Sequence, residues 1–262
     1  MRRTQVGALP LAILGLILLL YLVTPIVALA LHLSGGDLWR ALQDSQSRDA
    51  VLTSLGTASV STMVIGLLGV PLAYLLARTS LPGRRLLSTL VYLPLVLPPV
   101  SAGILLLLLY GPYGTFGQIL NKGGIVLLDS AAGIVLAQVF VAAPFVIVIA
   151  RSAFERIEPE YIEAAASMGA GHWRIFTAIA LPMARSGVAA GLALGWMRSL
   201  GEFGATVILA YHPYSLPVLN YVDLTGTGLA AALPLALVSV LLALATLTSL
   251  TFLGRVQSRL LT

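Results

Sequence analysis

Six stretches of this chain are long and apolar enough to cross a bilayer, and that repetition limits the fold more than any other feature. They cover residues 8–31, 51–77, 86–110, 130–150, 186–210 and 229–253. A hydrocarbon core of about 30 Å takes roughly 20 apolar residues in helical form. Lipid offers no hydrogen bonds, so each run must pair its own backbone groups, and a helix does this within one segment. The sequence therefore predicts an all-α, polytopic membrane protein. Six transmembrane helices would form a single transmembrane domain over residues 1–262. Composition agrees, with 58% hydrophobic and 10% charged residues, against about 25% charged in soluble domains. The first run follows Met1-Arg2-Arg3. Ala28-Leu29-Ala30 resembles a signal-peptidase site, but the run exceeds the roughly 7–15 residues of a signal core. It reads as an uncleaved first span.

Arginine and lysine set the orientation. Six spans put both termini on one side. Of the 15 Lys and Arg residues, 11 lie there: Arg2, Arg3, Arg78, Arg84, Arg85, Arg151, Arg156, Arg174, Arg185, Arg255 and Arg259. The opposite side holds Arg40, Arg48 and Lys122, and Arg198 falls within a span. Both termini are thus expected in the cytoplasm of a multi-pass cell-membrane protein. The net charge of +5 is accounted for by this asymmetry and not by nucleic acid. With no cysteine, disulfides and thiolate metal sites are excluded. His212 has no second ligand at metal spacing and reads as a loop histidine. No phosphate-cradling glycine loop, HExxH or GxSxG appears, so the expectation is a chain that is not an enzyme, binds no metal and carries no cofactor.

The outer segments are short. Gly36 to Leu42 reads as an interfacial helix with Asp37 as N-cap and Trp39 at headgroup depth. Gly111-Pro112-Tyr113-Gly114 reads as a turn, Asp129 as a cap for the fourth span, and Tyr211 to Tyr214 as a loop. Nothing is large enough to be an external receptor domain. Pro71, Pro94, Pro98, Pro99, Pro144 and Pro234 fall inside spans. The densest run, Tyr92-Leu93-Pro94-Leu95-Val96-Leu97-Pro98-Pro99, leaves carbonyls that need neighbours or water. That marks the third span, with Pro98, Pro99 and Ser101, as lining a path.

The segment 155–185 is different. Glu158-Pro159 opens a helix, since proline suits the first helical position, and Glu160 and Glu163 complement its dipole. Gly169 and Gly171 end it. A second short helix is expected from His172 to Ala180, stopped by Pro182. Small residues, Ala164 to Ala166, Ser167 and Gly169, would let another surface come close, with Arg156, Glu160, Glu163 and Arg174 around it. On chemistry alone the segment is either a docking element or an interfacial linker.

Glu163-Ala164-Ala165, Gly169 and Ile179-Ala180-Leu181-Pro182, at this spacing, resemble the EAA motif of ABC importer permeases. Six spans with that motif between the fourth and fifth resemble the type I importer permease fold. Arg198-Ser199-Leu200-Gly201-Glu202-Phe203-Gly204 is similar to a signature of the molybdate, tungstate and sulfate permeases. Phe203-Gly204-Ala205-Thr206 and Leu93 to Pro99 lean towards the molybdate branch. The resemblance covers nearly the whole chain. It implies an importer permease for a small oxyanion, molybdate or tungstate, with sulfate or thiosulfate as the alternative. It implies that Glu163, Ala164, Ala165, Gly169, Ile179, Leu181 and Pro182 dock a separate ATPase. It further implies a homodimer with the path between subunits, two ATPase subunits carrying ATP and Mg, and an extracytoplasmic substrate-binding protein. One departure is Tyr211-His212-Pro213-Tyr214-Ser215-Leu216-Pro217, where that branch has a glycine-containing turn. Two other classes compete: an intramembrane enzyme, for which no paired carboxylates or nucleophile–base pair appear, and a secondary transporter, for which no internal repeat appears.

Arg198 and Glu202 are four residues apart, so in a continuous helix they share a face. Counted from Ser186, Arg198 is about 18 Å along its span. A charge at that depth costs roughly 2.5–3.5 kcal/mol and marks a pathway or a buried pair. Both readings are open, and Thr206 belongs to the same candidate path.

Overall fold

The computed structural model describes residues 8–79 and 82–259, without the side chains of residues 8–9 and 250–259. Both termini, with Arg2 and Arg3, lie outside the described residues, as do the side chains of Arg255 and Arg259. Every regular element among the described residues is helical. The chain divides into two compact units, residues 1–48 with 220–262, and residues 49–219.

The first unit holds α1 (Ala8–His32), α2 (Gly35–Gln43) and α13 (Leu229–Arg259). α1 is apolar all round, and none of its Pro10–His32 window is buried by protein; such a surface suits lipid on every side. Ser34, not Asp37, caps α2. Ser34 is extended and its hydroxyl accepts from Asp37 N at 3.3 Å, while Ser34 N donates back to Asp37 at 2.9 Å. Asp37 stands three residues into this capping box, and the bonds from Ser34 hold its carboxyl below the usual range.

The second unit is built on α7 (Ala131–Glu155), which buries 12 residues along its length. α3 (Ser45–Arg78) and α10 (Leu181–Leu200) pack against it through one apolar cluster that includes Ile65, Tyr74, Val146, Phe154 and Val188. Gly187, Gly191 and Gly195 form a stripe on α10 that lies on Ala153, Ile149 and Val146 of α7. Such small-residue stripes let helices approach closely where lipid supplies no hydrophobic drive. A methyl at Gly191 would stand 3.2 Å from Val146 O.

Polar groups stitch α3 to α7 inside this unit. Ser61 Oγ donates to Gln138 Oε1 at 2.7 Å, and Gln138 Nε2 donates to Thr57 Oγ1 at 3.2 Å. Ser54 Oγ accepts from Leu216 N at 2.7 Å. Ser130, not Asp129, caps α7, its hydroxyl accepting from Gly133 N at 3.1 Å. Asp129 instead accepts from Tyr211 N at 2.8 Å and latches that loop. Two helices were not visible in the apolar pattern, α6 (Thr115–Lys122) after the Gly111–Gly114 turn, and α12 (Leu216–Gly226).

Among the described residues, five helices are long and apolar enough to cross a membrane, and a sixth span exists only as a bent pair. The expected third span, 86–110, is two helices, α4 (Arg84–Val96) and α5 (Pro99–Tyr110), turned by 115°. At about 1.5 Å per residue neither half spans 30 Å alone. The cause is local. A residue before proline avoids the helical region, and Leu97 and Pro98 are both pre-proline. They take ψ of 132° and 134°, so the helix cannot continue.

The expected fifth span, 186–210, is also interrupted. α10 stops at Leu200, residues 201–205 are not helical, and α11 (Thr206–Leu209) is a single turn. At the other end, Pro182 does not stop a helix. α9 (His172–Ile175) passes through a π-helical turn, Phe176–Ala180, directly into α10. Leu181 N bonds to Phe176 O, five residues back. This widened turn accommodates the proline ring, which would clash with the carbonyl four residues earlier. The result is one helical rod, His172–Leu200.

Candidate functional site

Two groups of residues stand at opposite ends of that rod. The first surrounds the interruptions. Gly204 lies against Pro99, where a Cβ would come within 2.6 Å of the proline Cβ. Gly103 of α5 lies against Ala205 and Ile208. The break before α5 and the break after α10 therefore meet, sealed by a cluster of Ala102, Leu106, Ala137, Val141, Ala205 and Leu209. Non-helical backbone at membrane depth is tolerated only where protein or a water-filled cavity surrounds it.

Arg198 Nη1 sits 2.6 Å from Glu202 Oε2, with side-chain exposures of 26% and 1%. They do not share a helix face as expected, since Arg198 occupies the last turn of α10 and Glu202 lies beyond its Gly201 cap. Glu202 Oε1 also accepts from Ala205 N at 2.8 Å. The carboxylate thus joins the end of α10 to the backbone leading into α11. A buried carboxylate demands such compensation, because an unpaired charge there costs several kcal/mol. Thr206 is fully buried, Ser101 half-buried, and Pro98 and Pro99 exposed. Of the expected path residues, the structure joins Arg198 to Glu202, and packs Pro99 against the loop that carries Glu202 and Thr206. Ser199 and Gly204, which stand in the signature but not among the expected path residues, also belong to this region, as does Gly103, which is legible only once the breaks are known.

The second group is the helix–turn–helix at the rod's start. α8 (Pro159–Ser167) follows Glu158, with Pro159 in its first turn. Gly169 has φ +83°, Ala170 N bonds to Ala165 O at 3.0 Å, and Gly169 N to Ala166 O at 2.9 Å. This is the paired hydrogen-bond pattern of a glycine-terminated helix, so the role expected for Gly169 is met by its backbone. Ala165 is buried beneath α8, whereas Glu163, Ala164 and Ala166 face outward. Ile179 and Leu181 are half-buried in and after the π-turn, and Pro182 is exposed. Among the described residues Glu160, Glu163 and Arg174 make no ion pair, and Arg156 donates only to Ser152, at 3.3 Å. Met168 and Trp173 are 82% and 72% exposed beside them. Those two were missed, because an isolated Met or Trp carries no motif.

Behind this segment lies a rigid seat. Arg78 donates to Phe154 O at 2.6 and 2.9 Å and also to Ile157 O. It thereby caps α7 where the chain enters α8. Arg151 bonds Glu155 at 2.8 Å and Ser88 at 3.0 Å. Phe176 of the π-turn packs on Tyr74 and Phe154, with ring centroids 5.1 and 6.2 Å away. The arginine-rich ends of α3, α4 and α7 therefore meet at one face, as the charge asymmetry requires.

The structure is thus a bundle of apolar helices with an exposed helix–turn–helix at one end of a rod and a charged pair at the other. Residues 65–260 match the family described as binding-protein-dependent transport system inner membrane component. The chain belongs to that family, and it is a non-catalytic permease subunit of an ABC transporter. It is 44% identical over 224 residues to a probable molybdenum ABC transporter permease protein of Haloferax volcanii, covering 86% of this chain and 82% of the relative. It is 37% identical over 235 residues to the molybdate/tungstate transport system permease protein WtpB of Thermococcus kodakarensis, covering 89% and 90%. Its fold is similar to a chain of a bacterial alginate ABC transporter in complex with an alginate pentasaccharide-bound periplasmic protein. That match has a TM-score of 0.77 at 20% identity, covering 98% and 96% of the two chains.

Proposed function

We propose that this chain is the permease of an ATP-driven importer of a tetrahedral oxyanion, molybdate or tungstate, working as a homodimer with the path at the subunit interface. Two ATPase subunits holding ATP and Mg dock on residues 155–185, and an extracytoplasmic binding protein delivers the anion. The observation that carries this reading is the docking element itself. Glu160, Glu163 and Arg174 are unpaired beside exposed Met168 and Trp173, a polar and apolar mixture that a partner groove would complete. The relatives named for molybdenum, molybdate and tungstate support the choice of anion.

Movement at α8 has a direct route inward. The rod His172–Leu200 is roughly 40 Å long at 1.5 Å per residue. It begins beside α8 and ends at Arg198 and the double break. ATP-driven closure of the motors draws the docking elements together, tilts the rods and opens the path outward; release returns it inward. Arg198 supplies positive potential for a dianion, while Glu202 keeps the site near neutrality so that the anion is not trapped. The test is reconstitution with the ATPase and binding protein in vesicles. Uptake of molybdate should require ATP, fall with excess tungstate and resist equal sulfate or thiosulfate. Stronger competition by sulfate would move the assignment to the alternative anion, and uptake without ATP would end the ABC reading.

A further inference from the structure

Helical hydroxyls within the protein generally bond to the carbonyl four residues back, which satisfies them without a partner elsewhere. Thr57 does so at 2.7 Å, Thr62 at 2.8 Å and Ser239 at 2.9 Å. Ser199 and Thr206 do not. Both are fully buried, and neither hydroxyl has a partner. Among the described residues, three of the four buried side-chain oxygens without a hydrogen bond, Ser199 Oγ, Glu202 Oε2 and Thr206 Oγ1, fall between positions 199 and 206. Glu202 Oε2 faces Arg198, which leaves the two hydroxyls as the uncompensated groups. They flank the interruption, one in the last turn of α10 and one in the first residue of α11. A buried polar group without a partner is costly and asks for an explanation.

We infer that the hydroxyls of Ser199 and Thr206, together with the guanidinium of Arg198, form the site that holds the tetrahedral oxyanion in transit. This rests on the oxyanion-importer reading above. Arg198 Nη1 faces Glu202 Oε2 while its side chain keeps 26% of its surface exposed, and a guanidinium has five N–H donors, so an anion can be met without breaking the ion pair. The pair is neutral overall. The anion is therefore held by neutral donors and one shared charge, strongly enough to replace part of its hydration and weakly enough to leave. Burial of both hydroxyls makes the site closed in this conformation, and displacement of the rod end from α5 opens it.

The experiment uses the whole transporter in vesicles, with molybdate as the probe. Ser199→Ala and Thr206→Val remove the hydroxyls and keep the volume close. Each should raise the apparent KM for molybdate about fivefold, the value of one hydrogen bond, and the double variant more. Assembly with the ATPase and the melting temperature should hold or rise, since an unmet buried hydroxyl is removed. Thr206→Ser keeps the hydroxyl and should hold the apparent KM below that of Thr206→Val. Import by the double alanine–valine variant at the parent KM overturns the inference, and so does its failure to assemble, which would make the hydroxyls structural. If the parent itself imports no oxyanion, the functional reading fails first, and the two failures are told apart by that control.

Discussion

The docking element and the double break contain the same kinds of residues, carboxylates, arginines, glycines and small side chains, yet the fold treats them oppositely. At residues 158–182 the charged groups point outward and are unpaired, and Gly169 has open space around it. Around residues 199–206 the carboxylate is buried and paired, and Gly204 touches a proline. The first region leaves its charges exposed, as the proposed docking requires, and the second compensates its carboxylate within the chain. One sequence motif can therefore mark either an interface or an internal joint, and only the surroundings decide which.

The largest effect that tests this contrast comes from charge removal. Arg198→Met leaves the 1%-exposed Glu202 carboxylate without its cation, and loss of one member of a buried pair costs roughly 3–5 kcal/mol. The variant should insert poorly or melt far below the parent. Glu163→Lys changes an exposed side chain and should alter stability by no more than about 0.5 kcal/mol, while reducing co-purification of the ATPase. Thermal melts and pull-downs on both variants check it. Equal destabilisation in the two would erase the distinction. The exchange Arg198→Glu with Glu202→Arg is also expected to fail, because an arginine at 202 cannot accept from Ala205 N as Glu202 does.

Glycine replacement comes next. Gly204→Ala forces a methyl to 2.6 Å from Pro99 Cβ, and overpacking of this kind costs about 1–3 kcal/mol. Gly169→Ala meets no neighbour within 4 Å but must hold φ +83°. That conformation costs about 1–2 kcal/mol for a residue with a Cβ. Asparagine tolerates this conformation better, so Gly169→Asn should recover part of the loss, whereas Gly204→Asn should be worse than Gly204→Ala. Denaturation of the four proteins decides between a steric cause at 204 and a conformational one at 169.

These two regions also differ in how well the sequence exposed them. The docking element was readable because its signals are local. Pro159 at a helix start and Gly169 at its end each act within a few residues. The membrane spans were readable from apolar length alone, and the arginine asymmetry ordered their ends. The breaks were not, because apolar length is blind to interruption. Leu97-Pro98-Pro99 falls inside what apolar length reads as one span, 86–110, although two consecutive pre-proline positions disfavour the helix. Gly201 caps α10, but a glycine within an apolar run is a weak stop signal by itself, and Gly103 and Pro99, about a hundred positions away, hold the backbone that follows. Pro182 misled in the other direction, for a π-turn absorbs what a regular helix could not.

A similarly small effect on stability is expected at Trp173, and there the contrast is sharpest. Its side chain is 72% exposed, and its ring meets Phe176 at a centroid distance of 5.6 Å. Trp173→Ala removes one partly exposed aromatic contact, worth about 0.5–1.5 kcal/mol between rings that are well packed. The exposed position places it at the low end. The melting temperature of the permease alone should therefore barely move. Assembly should respond differently, because tryptophan is among the residues most often decisive at interfaces, where truncation costs 2 kcal/mol or about thirtyfold in affinity. Trp173→Phe keeps a ring for the partner's groove and should restore most of the binding, while Glu163→Lys with Trp173→Ala should bind less than either alone. A Trp173→Ala permease that binds its ATPase with unchanged affinity would show that the partner seats on α8 without this ring. One that melts several degrees lower would show that Trp173 belongs to the Tyr74, Phe154 and Phe176 cluster instead.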